Sequence, residues 1–307
     1  MKLIRSIHPL TFKQMIKKLK GTGVALITPF RKDGSIDFKG LGKLVESMIE
    51  NKVNYLVPLG TTGETATLNK GEKIAVLDFV IEVNNKRLPV VYGLGGNNTQ
   101  EIVNIIQETD FSGIDAILSV SPYYNKPTQK GIYQHYKMIA NAAPVPVMLY
   151  NVPGRTGSNI TAETTLSIAH DVENIVGIKE ASGNLEQMMQ IIKNKPKDFL
   201  VVSGDDVITL PAIALGADGV ISVAANAFPK EIAELTNHAL KGHFDKAKDL
   251  HYKLIDIINM LFIEGNPVGV KAALSILNMC ADSVRLPLVS LSKANTNKLN
   301  VLIAELK

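Results

Sequence analysis

From residue 23 onward, short apolar runs rich in β-branched residues alternate with longer stretches whose apolar residues recur three and four apart. The rhythm continues without a linker or low-complexity break. Near-continuous apolar runs of four or five residues predict strands buried on both faces, and the longer stretches predict amphipathic helices. The predicted strands are Val24 to Thr28, Tyr55 to Leu59, Val90 to Gly93, Ala116 to Val120, Val147 to Tyr150, Ile175 to Lys179, Leu200 to Gly204 and Gly219 to Val223. The helical stretches between them include Leu41 to Glu50, Glu72 to Val83, Glu101 to Thr109, Tyr133 to Ala143 and Leu185 to Lys193.

Eight β/α units close most naturally into a (β/α)8 TIM barrel, so the expected class is α/β. An open doubly wound sheet is the competitor. Its dinucleotide-binding version needs a glycine-rich turn directly after a strand, and Gly93, Leu94, Gly95, Gly96, Asn97, Asn98 offers Asn98 where the last glycine belongs. After the eighth strand more than 80 residues of mostly helical pattern follow, including Ile232 to Leu240, Ala247 to Leu261 and Val270 to Leu277. The expected organisation is a basic extension over residues 1–20, a barrel over 21–228 and a C-terminal helical appendage over 229–307, the last a candidate surface for subunit contact.

Charge changes the picture only at the N-terminus. The chain carries 33 Lys and Arg against 29 Asp and Glu, or +4, but Lys2, Arg5, Lys13, Lys17, Lys18 and Lys20 stand within the first 20 residues with no acidic neighbour. Without these six, 27 basic and 29 acidic groups remain, or −2, so a nucleic-acid-binding body is not expected. Thr11 and Gln14 have the spacing of a capping box, and Phe12, Met15, Ile16 and Leu19 fall at helical spacing, which predicts a short amphipathic helix packed on the body. The alternative, an organelle transit peptide, shares the basic, acid-poor composition but is usually richer in Arg and Ser. No secretory apolar stretch and no membrane-spanning run of about 18 residues is present in the sequence. The lone Cys280 cannot form an internal disulfide and the six His have no zinc-type spacing with it, so the expected setting is a reducing cytoplasm without a metal site.

In a (β/α)8 barrel chemistry collects at the C-terminal ends of the strands. There the chain offers Gly60, Thr61, Thr62, Gly63, Glu64 after the second strand and Pro122, Tyr123, Tyr124, Asn125 after the fourth. Tyr150 ends the fifth, followed by Asn151, Val152, Pro153, Gly154, Arg155, Thr156 and Gly157; Lys179 and Glu180 end the sixth, and Gly204, Asp205, Asp206 the seventh. Lys179 is the most informative of these. A charged ammonium ending a doubly buried strand is costly unless paired, while an amine that desolvation holds neutral is a nucleophile for Schiff-base chemistry on a carbonyl. Position alone leaves a second reading open, an ion pair with Glu180, Asp205 or Asp206. Tyr124 and Tyr150 are likewise either core aromatics or proton-moving groups, which imine formation needs and which Thr61 and Thr62 also supply. Arg155, in a turn stiffened by Pro153, Gly154 and Gly157, is either a surface ion-pair partner or a bidentate carboxylate ligand. Gly60 and Gly63 either permit close backbone approach to a ligand or form a plain strand-to-helix turn.

These five segments, in this order, resemble the class I, Schiff-base-forming pyruvate aldolase and lyase superfamily, and within it the dihydrodipicolinate synthase family, from about Gly21 to the C-terminus. The resemblance implies that Lys179 forms an imine with pyruvate, with no other cofactor, and that Tyr150 relays protons and orients the imine. It implies that Thr61 and Tyr124 complete a relay to solvent, Tyr124 reaching into a neighbouring subunit's site, and that Thr62 binds the pyruvate carboxylate. Arg155 would hold the carboxylate of L-aspartate-β-semialdehyde, while Gly204 and Ile221 would line the pocket with backbone groups. N-acetylneuraminate lyases are similar in scaffold but usually lack this Arg; keto-deoxy sugar-acid aldolases share the lysine and tyrosine and stay open as an alternative, as does a non-catalytic binding relative. The resemblance further implies a homotetramer built as a dimer of dimers, and an allosteric lysine pocket at the positions of Thr65, Ala66, Lys70, Lys73, Asn97, Glu101 and Tyr123. Lys70 and Lys73 add cations beside a cationic ligand, so weak or absent feedback by lysine is expected.

Overall fold

The computed structural model describes residues 16–306. Eight parallel strands alternate with eight helices: β1 (Gly21–Ala25), α1 (Phe38–Glu50), β2 (Tyr55–Val57), α2 (Lys70–Asn84), β3 (Val91–Gly93), α3 (Thr99–Glu108), β4 (Ala116–Val120) and α4 (Gln129–Ala142) form the first half. The second half comprises β5 (Val147–Asn151), α5 (Ala162–Asp171), β6 (Ile175–Glu180), α6 (Leu185–Asn194), β7 (Leu200–Ser203), α7 (Thr209–Ala214), β8 (Gly219–Ser222) and α8 (Pro229–Leu240). The sheet order β2-β1-β8-β7-β6-β5-β4-β3 leaves β2 and β3 at its ends. Those ends meet: the Leu56 N–H donates to Pro89 O at 2.9 Å and the Gly93 N–H to Pro58 O at 3.0 Å, which closes the barrel and removes the open-sheet alternative.

The closed sheet separates two apolar regions. Ala25, Tyr55, Val57, Val91, Leu118, Met148 and Ile221 fill the inside, while Val24, Leu56, Ile117, Leu149, Ile178 and Val201 pack outward against the helices, as alternation along a strand requires. Ile16 and Leu19 are buried with the inner set. They are the described part of the expected N-terminal helix; Thr11, Phe12, Gln14 and Met15 lie outside the described residues.

The first strand starts three residues earlier than its apolar run, because Gly21 to Val24 pair with β8 and Gly23 to Ala25 with β2, the ladder ending where the Leu26 N–H donates to Val57 O. A Cβ on Gly23 would lie 2.1 Å from the Tyr55 ring that fills the inside at this level, so a glycine-rich start carries the pairing and masks it from hydropathy. The glycines after β3 have a similar packing cause. A Cβ on Gly95 would press to 2.7 Å on the Val120 backbone, and Asn98 is the N-cap of α3, accepting from the Glu101 N–H at 3.3 Å. Side-chain caps also start α1 (Asp37), α4 (Thr128), α5 (Thr161) and α6 (Asn184), and α2 opens with a full capping box between Asn69 and Glu72.

Beyond the barrel, α9 (Phe244–Phe262), α10 (Val268–Ile276) and α11 (Lys293–Leu306) complete the chain. Helix α8 packs against β1 and β8 as the barrel's eighth outer helix, so the C-terminal helical region contributes its first member to the barrel wall. At Gly269 a Cβ would meet Leu261 O at 2.2 Å; the bare backbone lets α10 fold back tightly on the end of α9, and this places residues 259–266 over the barrel mouth. Among the described residues no helix is long and apolar enough to cross a membrane.

Candidate active site

At the C-terminal ends of the strands lies a cavity of about 300 Å³. Lys179 reaches it from β6 and is buried at 5% exposure. Its register partners are Tyr150 on β5 and Val202 on β7, and its ammonium lies 4.3 Å from the centre of the Tyr150 ring. Among the described residues no carboxylate forms a salt bridge with it, so the ion pair left open by its position does not form. Glu180, the next residue along β6, instead accepts from Asn151 Nδ2 (2.9 Å), Gln187 Nε2 (2.9 Å) and the Ser182 N–H (2.8 Å). Asp206 turns to the β8 loop, where its carboxylate accepts from the Val223 and Ala224 N–H groups; burial pushes its pKa up, opposed by those hydrogen bonds.

The absence of a side chain at Gly204 makes room for the lysine. A Cβ there would stand 2.6 Å from Ala181 Cβ and 2.8 Å from Lys179 Cε, so any larger residue displaces the amine. Asn151 and Glu180 meanwhile tie the loop after β5 to β6, with Asn151 Oδ1 accepting from the Ile160 N–H and Asn151 Nδ2 donating to Asn159. In that loop Pro153–Thr156 form a single helical turn closed by Gly157 at φ +69°, which carries Arg155 to the cavity rim. Proline at the first helical position and glycine in the left-handed region at its end are the local reasons for this turn.

Thr62 enters from the opposite side on the Thr61–Gly63 turn. Thr28 Oγ1 donates to Gly63 O at 2.8 Å, and the single Thr65 hydroxyl proton is shared between Leu59 O and Gly60 O, 2.7 and 2.9 Å from Oγ1. Glu64, at φ +52°, sends its carboxylate away from the cavity into a buried ion pair with Lys271 of α10 at 2.5 Å and accepts the Arg285 N–H at 2.9 Å. The tight approach in this region belongs to Gly93, whose Cβ would meet Leu59 O at 2.5 Å, and to Gly63, which faces Leu26 O at 3.3 Å; a Cβ on Gly60 would meet open space.

The structure therefore gathers Thr62, Tyr150, Arg155, Lys179 and Gly204 around one cavity. Ile221 is fully buried in β8, paired with Gly23, and the residue that lines the cavity here is Val223, just after β8. Thr61 is exposed beside Thr62. Tyr124 is not among the lining residues; it is 91% exposed and held at φ +72°, a conformation unusual for a tyrosine. Ala66, Lys70, Asn97, Glu101 and Tyr123 are exposed and Thr65 and Lys73 half-buried; Lys70 pairs with Glu108 at 2.8 Å, and Asn97 Nδ2 donates to Tyr123 O. A separate, open groove between α1 and α2 includes Arg31, Phe38, Asn69 and Glu72 and none of these residues.

Strand ends do not reveal the whole lining. Asn259 and Phe262 arrive from α9, and Asn266 from the turn between α9 and α10. The Asn266–Pro267 dipeptide marks a turn in the sequence, but nothing local to it says that the turn covers a barrel. Among the described residues no cluster of three or more His, Cys, Asp or Glu side chains is disposed to hold a metal ion.

Comparison with known proteins finds relatives over most of the chain. Residues 18–306 match the sequence model of the dihydrodipicolinate synthetase family. The 4-hydroxy-tetrahydrodipicolinate synthase of Flavobacterium psychrophilum is 52% identical over 286 residues, covering 93% of this chain and 98% of the relative. The crystal structure of dihydrodipicolinate synthase from Aquifex aeolicus superposes with a TM-score of 0.90 at 43% identity, covering 94% of this chain and 98% of that one. A monomeric dihydrodipicolinate synthase variant superposes with a TM-score of 0.92 at 38% identity over 95% of this chain and 98% of its own.

Proposed function

The chain belongs to the dihydrodipicolinate synthetase family and is a lyase joining pyruvate to L-aspartate-β-semialdehyde in lysine and diaminopimelate biosynthesis, and we propose that it does so through an imine on Lys179. Enzymes of this family use no external cofactor, since pyruvate itself is held as a Schiff base on a lysine. The observation that carries the assignment to Lys179 is its burial at the cavity, beside Tyr150 and without a carboxylate partner among the described residues.

In this reading the Lys179 amine adds to the C2 carbonyl of pyruvate, the carbonyl oxygen leaves as water, and loss of a methyl proton gives an enamine. The enamine carbon then attacks the aldehyde of the second substrate. Tyr150, cross-strand neighbour of Lys179, orients the imine and passes protons. Thr62 holds the pyruvate carboxylate, and Arg155 on its stiff turn holds the carboxylate of aspartate semialdehyde. Gly204 and Ile221 act through their backbones at the ends of β7 and β8.

Thr61 and Tyr124 complete the relay, with Tyr124 acting in a neighbouring subunit. Its outward position at the edge of the protomer suits that role, and a relative distinguished as a monomeric variant points to an oligomeric parent. We read the assembly as a tetramer made of two dimers. Thr65, Ala66, Lys70, Lys73, Asn97, Glu101 and Tyr123 would form the lysine pocket between subunits. Lys70 and Lys73 disfavour a cationic ligand there and make feedback weak. A cytoplasmic location fits a biosynthetic role.

Incubation with pyruvate and sodium borohydride, followed by peptide mass spectrometry, tests the assignment. A reduced pyruvyl adduct on Lys179 is expected. An unmodified Lys179, under conditions that label a known Schiff-base aldolase, would overturn it.

A further inference from the structure

Asn266 is buried at 8% exposure, lines the Lys179 cavity and makes one side-chain hydrogen bond: Nδ2 donates to Thr62 Oγ1 at 2.9 Å. Its Oδ1 is buried with no hydrogen-bond partner among the described residues. A structural asparagine ordinarily satisfies both ends of its amide, as Asn226 does here by accepting from the Ile27 N–H while donating to Ala25 O and Val223 O. The polar contact of Asn266 is given instead to a hydroxyl that faces the cavity.

The direction of that contact matters. A hydroxyl has one proton and two lone pairs. When Asn266 donates to one lone pair, the Thr62 proton stays free for another acceptor, and Thr62 is poised to donate rather than to accept. An ionised carboxylate offers only lone pairs, so a donating Thr62 binds it and an accepting Thr62 repels it.

We propose that Asn266, supplied by the C-terminal helical region, is a positioning residue that fixes the Thr62 hydroxyl as a hydrogen-bond donor and thereby selects the carboxylate of a 2-oxo acid. The inference rests on the reading of this cavity as the pyruvate site. It assigns the appendage a part in first-substrate affinity, which the barrel strands alone do not supply. Asn266 lies 204 positions from Thr62 along the chain, and the two meet only because α10 folds back on α9.

The test is a double-mutant cycle between Asn266→Ala and Thr62→Val, read as the pyruvate concentration giving half-maximal borohydride trapping and as KM and kcat for each substrate. Asn266→Ala is expected to raise the half-trapping concentration and pyruvate KM about 5- to 10-fold. The kcat at saturating pyruvate and the KM for the aldehyde should move less than 2-fold. In the Thr62→Val background the same change should add less than 2-fold, and in a Thr62→Ser background the full effect should return. Equal effects of Asn266→Ala with and without the Thr62 hydroxyl would overturn the proposal, as would a loss confined to kcat. Asn266→Ser, smaller and still polar, replaces the alanine variant in the same cycle if circular dichroism shows that the latter does not fold. Absence of trapping in the unsubstituted enzyme would instead refute the Schiff-base reading itself.

Discussion

Two lysines are buried among the described residues, one at the barrel mouth and one where the C-terminal helices meet the barrel, and their surroundings are opposite. Lys271 is fully buried, paired with Glu64 at 2.5 Å, donating to Ser283 O at 2.9 Å and lying 4.1 Å from the centre of the Phe30 ring. Burial pushes its pKa down and Glu64 opposes that push. Lys179 is almost as buried but faces an aromatic ring and a cavity, with no salt bridge among the described residues. A lysine held by a carboxylate and a backbone carbonyl holds structure together; one left without a carboxylate has a lone pair to offer once it loses its proton. Burial alone does not separate the two roles. The partner does.

The most severe way to probe this contrast is to remove each amine in turn. Lys179→Ala should leave the melting temperature within a few degrees of the parent while turnover falls by about three orders of magnitude or more, since a covalent route is lost. Unchanged turnover would end the comparison. Lys271→Met should do the reverse: it strands Glu64 as an uncompensated buried charge and costs about 3 to 5 kcal/mol in urea unfolding. The double change Glu64→Leu with Lys271→Met should recover most of that loss, because the penalty comes from the unpaired charge.

A finer probe is Gly204→Ala. The new methyl group must push Lys179 aside, so borohydride trapping should slow by about 10- to 100-fold, equivalent to about 1.4 to 2.7 kcal/mol. It also presses on Ala181 Cβ, so stability should fall by about 1 to 3 kcal/mol. Normal trapping would mean that the amine reaches pyruvate from another rotamer.

The smallest effect concerns acid. Around Lys271, Arg285 donates to both oxygens of Glu72, to Gly34 O and to Thr67 O, and the guanidinium holds the Glu72 pKa down to about 2. The folded value lies below the ordinary one, so this contribution is complete above about pH 4.5 and is lost as pH falls towards about 2. Glu72 is partly open to water, which limits the contribution to about 1 kcal/mol. Glu72→Gln should therefore flatten the stability profile between pH 4.5 and 2 by that amount, measured by urea titration; an unchanged slope would show that the junction gains nothing from this pair.

The barrel was legible because burying strands on both faces enforces apolar runs and helices on a barrel surface enforce a three- and four-residue period; both are local patterns. Lys179 was legible for the same reason, since a charge at the end of such a run violates the pattern. Tyr150 and Arg155 were candidates from their places at and after the end of the fifth strand, with structural readings still open, and only the family resemblance pointed to Gly204 as pocket lining. Glycine hid the start of β1, because Gly21 and Gly23 contribute backbone pairing and no hydropathy. The ion pair open to Lys179 was equally beyond the sequence: Glu180 is its chain neighbour, and only the two faces of β6 direct the carboxylate to Asn151 and Gln187.

By itself, then, the sequence determined the eight-fold β/α repeat, the end of the barrel where chemistry is expected and the lysine proposed as its nucleophile. Tertiary structure alone decided which buried lysine is paired, where Tyr124 stands and that Asn259, Phe262 and Asn266 complete the cavity wall. The physical reason is range. Periodicity and strand-end position are set by a residue and its near neighbours, whereas the Glu64–Lys271 and Thr62–Asn266 contacts join positions 207 and 204 residues apart, which no local pattern encodes.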